Sequence, residues 1–174
     1  MLQAFHLCLT DIMYNPQIVS KAGVILASHF QEMDLDCIVT VETKGIPLAY
    51  ELAKSLGIEL VIIRKDNKVT EGSTVTINYV SGTSGRIQQM SLAKKSMKPS
   101  SRCVFIDDFL RGGGTAQGIT DLLKEFDSEL VGTGVLVDNV GVANKRVTDY
   151  VSIIDIEYIS EDGKIKVTPS NLIK

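Results

Sequence analysis

The chain has 174 residues, of which 44% are hydrophobic and 22% are charged, so it can form one compact α/β domain over 1–174 with a substantial core. The net charge of −3 argues against a protein that binds nucleic acid through its overall field. Three cysteines without a CxxC pair suit a reducing compartment and offer no zinc site of the usual spacing.

A helix is predicted near the amino terminus. Asn15 is a capping residue, and the Pro16 that follows it suits the first turn of a helix. Apolar residues then recur at helical spacing, at Ile18, Ala22, Ile25, Leu26, His29 and Met33. Since His29 falls on this stripe, we expect it to be a packed core residue rather than a ligand.

A strand–helix–strand unit follows. The β-branched run 37–41 predicts a buried strand, Pro47 opens a helix that stops at Gly57, and 59–64 predicts the next strand. Because the connections are short, the two strands are expected to pair in parallel through a right-handed crossover.

The middle of the chain interrupts this pattern. After a polar, turn-like segment at 64–72, the run 73–80 alternates like an exposed antiparallel strand, and 86–93 could pair back with it. We therefore predict an antiparallel hairpin inserted between parallel strands. Long insertions of this kind are often binding loops.

Parallel strands are predicted again in the last third. The run 103–106 indicates a buried strand, 115–126 a helix, 130–137 and 150–156 two more strands, and 164–168 a short edge strand. No apolar run reaches the length of a membrane span, and the first residues lack the pattern of a signal peptide. We therefore expect a cytoplasmic location and no membrane partner.

The sequence FIDDFLRGGGT places two adjacent carboxylates before three glycines. In an open parallel sheet, ligands bind at the carboxyl ends of the strands, where Asp107, Asp108 and the segment 42–45 would meet. The glycines at 112–114 can turn backbone N–H groups toward one point, and Thr115 adds a hydroxyl where a helix start favours an anion. Ionised Asp accepts hydrogen bonds from hydroxyls, so the pattern predicts a ligand such as a ribose 5-phosphate.

Other interpretations of this region fit less well. A dinucleotide site needs G-x-G-x-x-G after the first strand, where this chain has VETKGIP, and the GxxxxGK[ST] of a P-loop is absent. Direct binding of Mg²⁺ by the two acids stays open, although Mg²⁺ usually takes few protein ligands and relies on substrate phosphates. A tight turn with surface acids does not account for strand, acids, glycines and threonine in this order.

The charge of the chain is distributed unevenly. Between Gly72 and Ile106 there is no Asp or Glu, and the cations there give +5, which leaves −8 for the rest of a chain whose net charge is −3. These cations are Arg86, Lys94, Lys95, Lys98 and Arg102. The pattern fits two interpretations, a solvated face and a surface that faces phosphates.

Three motifs resemble those of a known superfamily. FIDDFLRGGGT resembles the phosphoribosyl-diphosphate motif of type I phosphoribosyltransferases, VETKGIPLA their pyrophosphate loop, and RKDNKVTEG the start of their flexible loop. Together with VIIRKDNKVTEGSTVTINYVSG they resemble the effector domains of Gram-positive purine operon repressors, from about Leu9 to the carboxyl terminus. The resemblance implies an α/β type I phosphoribosyltransferase fold, a mainly parallel sheet flanked by helices with an inserted antiparallel hairpin or flexible loop.

For function, the resemblance implies a domain that senses phosphoribosyl diphosphate, with Mg²⁺ and without a required cofactor, and that regulates purine biosynthesis genes without transferase turnover. It also implies a homodimer and an amino-terminal winged-helix domain that binds operator DNA. We expect that domain to lie outside 1–174, with the basic stretch 86–102 as a second candidate for contact with DNA.

The same resemblance assigns residues to each part of the ligand. The ribose hydroxyls would be held by Asp107 and Asp108. The 5-phosphate would be held by Arg111, Gly112, Gly113, Gly114 and Thr115, and the diphosphate by Thr43, Lys44, Gly45, Arg64, Lys65 and Lys68. No residue is assigned a catalytic role or a metal.

The residue types favour a sensor over an enzyme. Hypoxanthine-guanine transferases carry an Asp three residues after the second acid to exchange a proton with the purine, whereas this chain has Arg111, which stays charged at all working pH values. Orotate-type enzymes carry Lys-x-His in the flexible loop, whereas here Thr70 stands two residues after Lys68. Xanthine-type enzymes also lack that Asp, so an active purine phosphoribosyltransferase of this type is the alternative.

Overall fold

The computed structural model describes residues 11–65, 72–81, 84–159, 164–170 and 172–173. In chain order, its elements are α1 (Pro16–Phe30), β1 (Cys37–Val41), α2 (Ile46–Leu56), β2 (Glu59–Ile63), β3 (Thr74–Val80), β4 (Ile87–Ala93), a 3-10 turn (Lys94–Ser96), β5 (Arg102–Leu110), α3 (Gly114–Lys124), β6 (Glu129–Asn139), β7 (Val151–Ile159) and β8 (Ile165–Pro169). None of the described helices combines the length and the apolar character that a membrane crossing requires.

The central sheet has six strands in the order β2-β1-β5-β6-β7-β8. The first five are parallel, and β8 pairs with β7 in the antiparallel direction. The chain runs outward from β1 to β2 and then returns to place β5 on the other side of β1, so the winding reverses between β1 and β5. Ligands of open α/β sheets bind at such a reversal. The parallel β1–β2 pair, the separate β3–β4 hairpin and the edge strand confirm the sequence predictions.

Different elements cover the two faces of the sheet. Helices α1 and α2 pack against Ile38, Val104 and Leu136 on one face, whereas α3 and the hairpin pack against Val39 and Phe105 on the other. Successive residues of a strand point to opposite faces, so β1 and β5 contribute to both layers. Strands buried on both faces have nearly continuous apolar sequences, which is why 103–106 is apolar throughout and 37–41 is apolar except for Thr40.

Local capping explains where α1 starts and where α2 stops. The Asn15 side-chain oxygen accepts hydrogen bonds from the N–H groups of Gln17 and Ile18 at 3.0 and 3.3 Å, so Asn15 caps α1 as predicted. Helix α2 ends at Leu56, because Gly57 adopts a left-handed φ of 70° that glycine tolerates at little cost.

The buried face of α1 differs from the predicted stripe. It consists of Val19, Ala22, Gly23, Leu26, Ala27 and Phe30. A side chain at Gly23 would place its Cβ 2.6 Å from the Cβ of Glu51 in α2, so the close approach of the two helices sets which face is buried. His29 is exposed, and its ring meets the Phe30 ring edge-on at 4.8 Å. The prediction of a packed core histidine is therefore wrong.

Two boundaries near the glycines also differ from prediction. Strand β5 continues to Leu110, because its pairing with β6 extends that far. Asp107 and Asp108, named the acid pair below, therefore lie within a strand rather than in a loop. Helix α3 begins at Gly114, one residue earlier than predicted, and ends at Lys124.

Candidate functional site

A cavity of about 340 Å³ opens at the carboxyl ends of β1 and β5, where the winding of the sheet reverses. Its lining includes Thr43 and Lys44 from the loop after β1, Lys65 from the segment after β2, and the acid pair from β5. The sheet order thus brings together predicted site residues that are more than 60 positions apart in the sequence.

The loop after β1, residues 42–45, is attached to the neighbouring strand through Glu42. The two carboxylate oxygens of Glu42 accept hydrogen bonds from the Arg64 Nη1 at 3.1 Å and from the Lys65 N–H at 2.8 Å. The guanidinium of Arg64 therefore contacts Glu42, and its contact with a diphosphate stays a prediction. The peptide bond between Glu42 and Thr43 is cis.

The 42–45 loop also packs directly on the acid pair. A Cβ at Gly45 would lie 2.6 Å from the Thr40 Oγ1 and 2.9 Å from the Asp107 Oδ1. The Thr40 hydroxyl cannot simply turn away, because it donates a buried hydrogen bond of 2.7 Å to the Ile106 carbonyl. Gly45 is required here for close approach, a reason that the sequence motif alone did not supply.

The Asp107 carboxyl of the acid pair is buried beside a second negative charge, that of Asp108. The Asp107 Oδ1 accepts a hydrogen bond of 2.9 Å from the Asp108 N–H. Burial and the neighbouring Asp108 carboxylate raise the pKa of Asp107 well above its ordinary value, while the Lys65 ammonium acts in the opposite direction. Groups that donate hydrogen bonds to these oxygens, such as ligand hydroxyls, would offset the cost of the crowded negative charge.

The predicted 5-phosphate segment 111–115, named the glycine loop below, runs from the end of β5 into the first two residues of α3. Gly113 caps α3 with a left-handed φ of 71°, and a Cβ there would lie 2.7 Å from the Val147 Cγ1. The loop lines a second, small cavity that shares Thr115 with the first. Since α3 starts here, its free N–H groups and the positive end of its dipole lie beside both cavities.

The hairpin supplies a wall of the cavity that the sequence did not identify. Tyr79, Ser81, Ser84 and Gln88 line it, and the Tyr79 hydroxyl donates to the Gln88 Oε1 at 2.9 Å. Burial raises the pKa of Tyr79, the nearby Asp107 raises it further, and a hydrogen bond with Thr115 acts in the opposite direction. The hairpin was predicted as a binding insertion, and a tyrosine on its buried face was the signal that could have indicated this residue.

Two cations of the basic stretch lie apart from the main cavity. Within the basic stretch 86–102, Lys98 pairs with Glu59 at 3.8 Å and Arg102 with Glu129 at 2.5 Å. Because Glu59 and Glu129 begin parallel strands, these two pairs lie at the edge of the sheet opposite the cavity. Lys98 and Arg102 therefore do not extend the positive charge of the site. Lys68 lies outside the described residues.

Comparison with known proteins agrees with this architecture. The sequence pattern of the phosphoribosyl transferase domain matches residues 9–170. The chain is 49% identical over 170 residues to the purine biosynthesis transcriptional repressor PurR of Bacillus subtilis, covering 97% of this chain and 60% of that protein. It is 32% identical over 124 residues to the xanthine phosphoribosyltransferase of Deinococcus deserti, covering 71% of this chain and 64% of that enzyme.

A solved structure has the same fold. Adenine phosphoribosyltransferase from Giardia lamblia, complexed with 9-deazaadenine, superposes with a TM-score of 0.76 at 20% sequence identity, over 85% of this chain and 84% of that chain. The chain spans about three-fifths of the length of the repressor to which it is similar.

Proposed function

Because this chain belongs to the phosphoribosyl transferase domain family, we propose that it is the ligand-sensing domain of a transcriptional regulator of purine biosynthesis genes and that its ligand is phosphoribosyl diphosphate. Similarity to a purine biosynthesis repressor over 97% of the chain supports the regulatory role. The single observation that carries the ligand is the convergence of the acid pair, the glycine loop and the 42–45 loop on adjoining cavities. The proposal includes a cytoplasmic homodimer whose operator DNA is bound by a separate winged-helix domain.

The ligand would be divided among three anchoring groups. The acid pair accepts hydrogen bonds from the two ribose hydroxyls, and the N–H groups of the glycine loop hold the 5-phosphate at the start of α3. The diphosphate lies against the 42–45 loop, where Lys44 and Lys65 neutralise its charge. In this arrangement the 5-phosphate and the diphosphate lie on either side of the acid pair, which limits the repulsion between the phosphates and the two carboxylates.

Mg²⁺ would bind together with the diphosphate. Two adjacent carboxylates on the cavity wall offer the hard oxygen ligands that Mg²⁺ takes when substrate phosphates supply the rest of its coordination. The ion would neutralise diphosphate charge beside the acid pair. Ligand binding that depends on Mg²⁺ is therefore part of the proposal.

The residue at position 111 supports sensing without turnover. Arg111 lines the small cavity, and by the sequence resemblance it stands where hypoxanthine-guanine enzymes carry an Asp that exchanges a proton with the purine. A guanidinium binds anions but does not accept a proton from a purine. The similarity to a xanthine phosphoribosyltransferase favours one second candidate, an active purine transferase.

Calorimetry and a turnover assay test the two candidates. We expect phosphoribosyl diphosphate with Mg²⁺ to bind the chain, and no release of pyrophosphate above background when each purine base is added. Variants of the acid pair, such as Asp108→Asn, can be measured in the same calorimetric assay. Asp121→Asn is their matched control, since Asp121 is an exposed carboxylate of α3 that pairs with Lys124 at 2.9 Å. Absence of binding rejects the sensor, whereas sustained pyrophosphate release with any base establishes the enzyme.

A further inference from the structure

The loop between β6 and β7 is held by a buried ion pair. The Asp138 and Lys145 side chains are 1% and 10% exposed, and the Lys145 Nζ lies 2.5 and 2.6 Å from the two Asp138 oxygens. The Tyr150 hydroxyl donates to the Asp138 Oδ2 at 2.9 Å and accepts from the Lys145 Nζ at 2.9 Å. These three residues, named the Asp138 cluster, form a closed triangle and line neither cavity described above.

The Asp138 cluster lies next to the residues that contact the glycine loop. Arg146 follows Lys145 directly, and its N–H donates a hydrogen bond of 3.0 Å to the Gly112 carbonyl. Val147 comes next and lies against Gly113, where a Cβ would meet the Val147 Cγ1 at 2.7 Å and the Val147 nitrogen at 2.9 Å. Lys145 of the ion pair is therefore one residue before Arg146 and two residues before Val147, the two residues that contact the glycine loop.

Three consecutive glycines need such support. Glycine loses more conformational freedom on ordering than any other residue, so a free loop of three would have to be ordered by the ligand at a cost in affinity. A buried ion pair has strict geometric requirements, because its desolvation is offset only when both charges are well placed. It is thus suited to fix a neighbouring loop in one position.

We propose that Asp138, Lys145 and Tyr150 are positioning residues for the 5-phosphate. They hold segment 145–147 against Gly112 and Gly113, so that the N–H groups of the glycine loop face the phosphate before it arrives. This inference rests on the proposed function. It adds a part of the chain, the β6–β7 connection, to which neither the sequence motifs nor the cavity linings point.

The perturbation is Lys145→Gln, which removes the ammonium and keeps most of the side-chain volume. We expect affinity for ribose 5-phosphate to fall by about three- to tenfold, the effect of about one missing hydrogen bond. Affinity for inorganic diphosphate with Mg²⁺ should be unchanged, because that anion binds at the 42–45 loop. A general loss of structure would weaken both ligands together, so the ratio of the two dissociation constants separates positioning from simple destabilisation.

Two further variants keep the test decisive. Asp138→Asn with Lys145→Gln removes both charges, avoids an unpaired buried carboxylate, and serves if the single variant does not fold. Lys124→Gln is the matched control, since it removes a lysine from an exposed ion pair at the far end of α3.

Hydrogen exchange of the ligand-free chain supplies a readout that does not depend on binding. In the cluster variants we expect faster exchange of the Arg146 amide and of the glycine loop than in wild type, with the β1 amides unchanged. Unchanged exchange at Arg146, or an equal loss of affinity for both anions, overturns the positioning role and leaves the proposed function standing. A wild-type chain that binds neither anion overturns the proposed function even where exchange rises.

Discussion

The change Gly45→Ala tests whether close packing between the 42–45 loop and the acid pair is needed for ligand binding. Gly45 has a φ of −68°, which alanine adopts without strain, so the effect of the substitution on the folded state is steric. The added Cβ would lie 2.6 Å from the Thr40 Oγ1 and 2.9 Å from the Asp107 Oδ1. Ordinary contacts begin near 3.4 Å, so the loop must move away by several tenths of an ångström or the Thr40 hydroxyl must leave its hydrogen bond to Ile106.

Both forms of relief have a predictable size. Overpacking of this kind costs about 1–3 kcal/mol of stability. Movement of the loop away from the acid pair separates two of the three anchoring groups, so we expect affinity for phosphoribosyl diphosphate to fall by about tenfold or more, or about 1.4 kcal/mol. Thr40→Ala combined with Gly45→Ala should recover part of the affinity, since it removes the shorter of the two contacts.

The assay is calorimetric titration with phosphoribosyl diphosphate and Mg²⁺, beside urea unfolding of the same variants. Gly57→Ala is the matched control, because its Cβ would meet nothing within 4 Å while its φ of 70° costs about 1–2 kcal/mol in stability. We expect Gly57→Ala to lose stability and keep its affinity. Wild-type affinity in Gly45→Ala would refute the view that this contact sets the geometry of the site.

Further predictions concern the acid pair and the basic stretch. Asp108→Asn should weaken phosphoribosyl diphosphate binding by about one to two decades, the cost of about 1.5–3 kcal/mol for the loss of a charged hydrogen bond, and calorimetry showing no change would remove Asp108 from the site. Burial and Asp108 raise the pKa of Asp107 in the folded state, so Asp107→Asn should stabilise the chain at pH 7. This gain in stability should shrink as the pH falls through the raised pKa, and it should vanish below the ordinary value of 3.8. Urea unfolding at several pH values that shows a constant difference between the two proteins contradicts this. In a full-length regulator, Lys94→Ala with Lys95→Ala should flatten the salt dependence of operator binding. The slope of log affinity against log salt should fall by roughly one unit for each DNA phosphate that these lysines no longer neutralise. An unchanged slope would exclude them from DNA binding.

Short-range chemistry explains what could be predicted from the sequence. The strand at 37–41, the cap at Asn15 and the stop at Gly57 depend on neighbours within a few residues, and the structure has all three where they were predicted. The acid pair and the glycine loop were identifiable for the same reason, since the chemical types are adjacent in the chain. Sheet winding then placed them at the reversal between β1 and β5, a consequence of the general rule for open parallel sheets.

Features that depend on two distant segments could not be predicted. The buried face of α1 follows from its contact with α2 at Gly23, so the exposed position of His29 was hidden in a stripe that fits several helix faces almost equally well. The positions of Lys98 and Arg102 away from the cavity have the same origin, because the carboxylates that pair with them start other strands of the sheet.

The sequence by itself determined the α/β class, most of the element positions and the chemical types at the candidate site, since propensity, capping and periodicity act within one segment. Only the tertiary structure decided that Gly45 lies against the acid pair, that Tyr79 lines the cavity, and that the Asp138 cluster lies next to residues that contact the glycine loop. Each of these is a contact of a few ångströms between segments far apart in the chain. Such contacts depend on how the layers pack against the sheet, and a local pattern in the sequence carries no information about that distance.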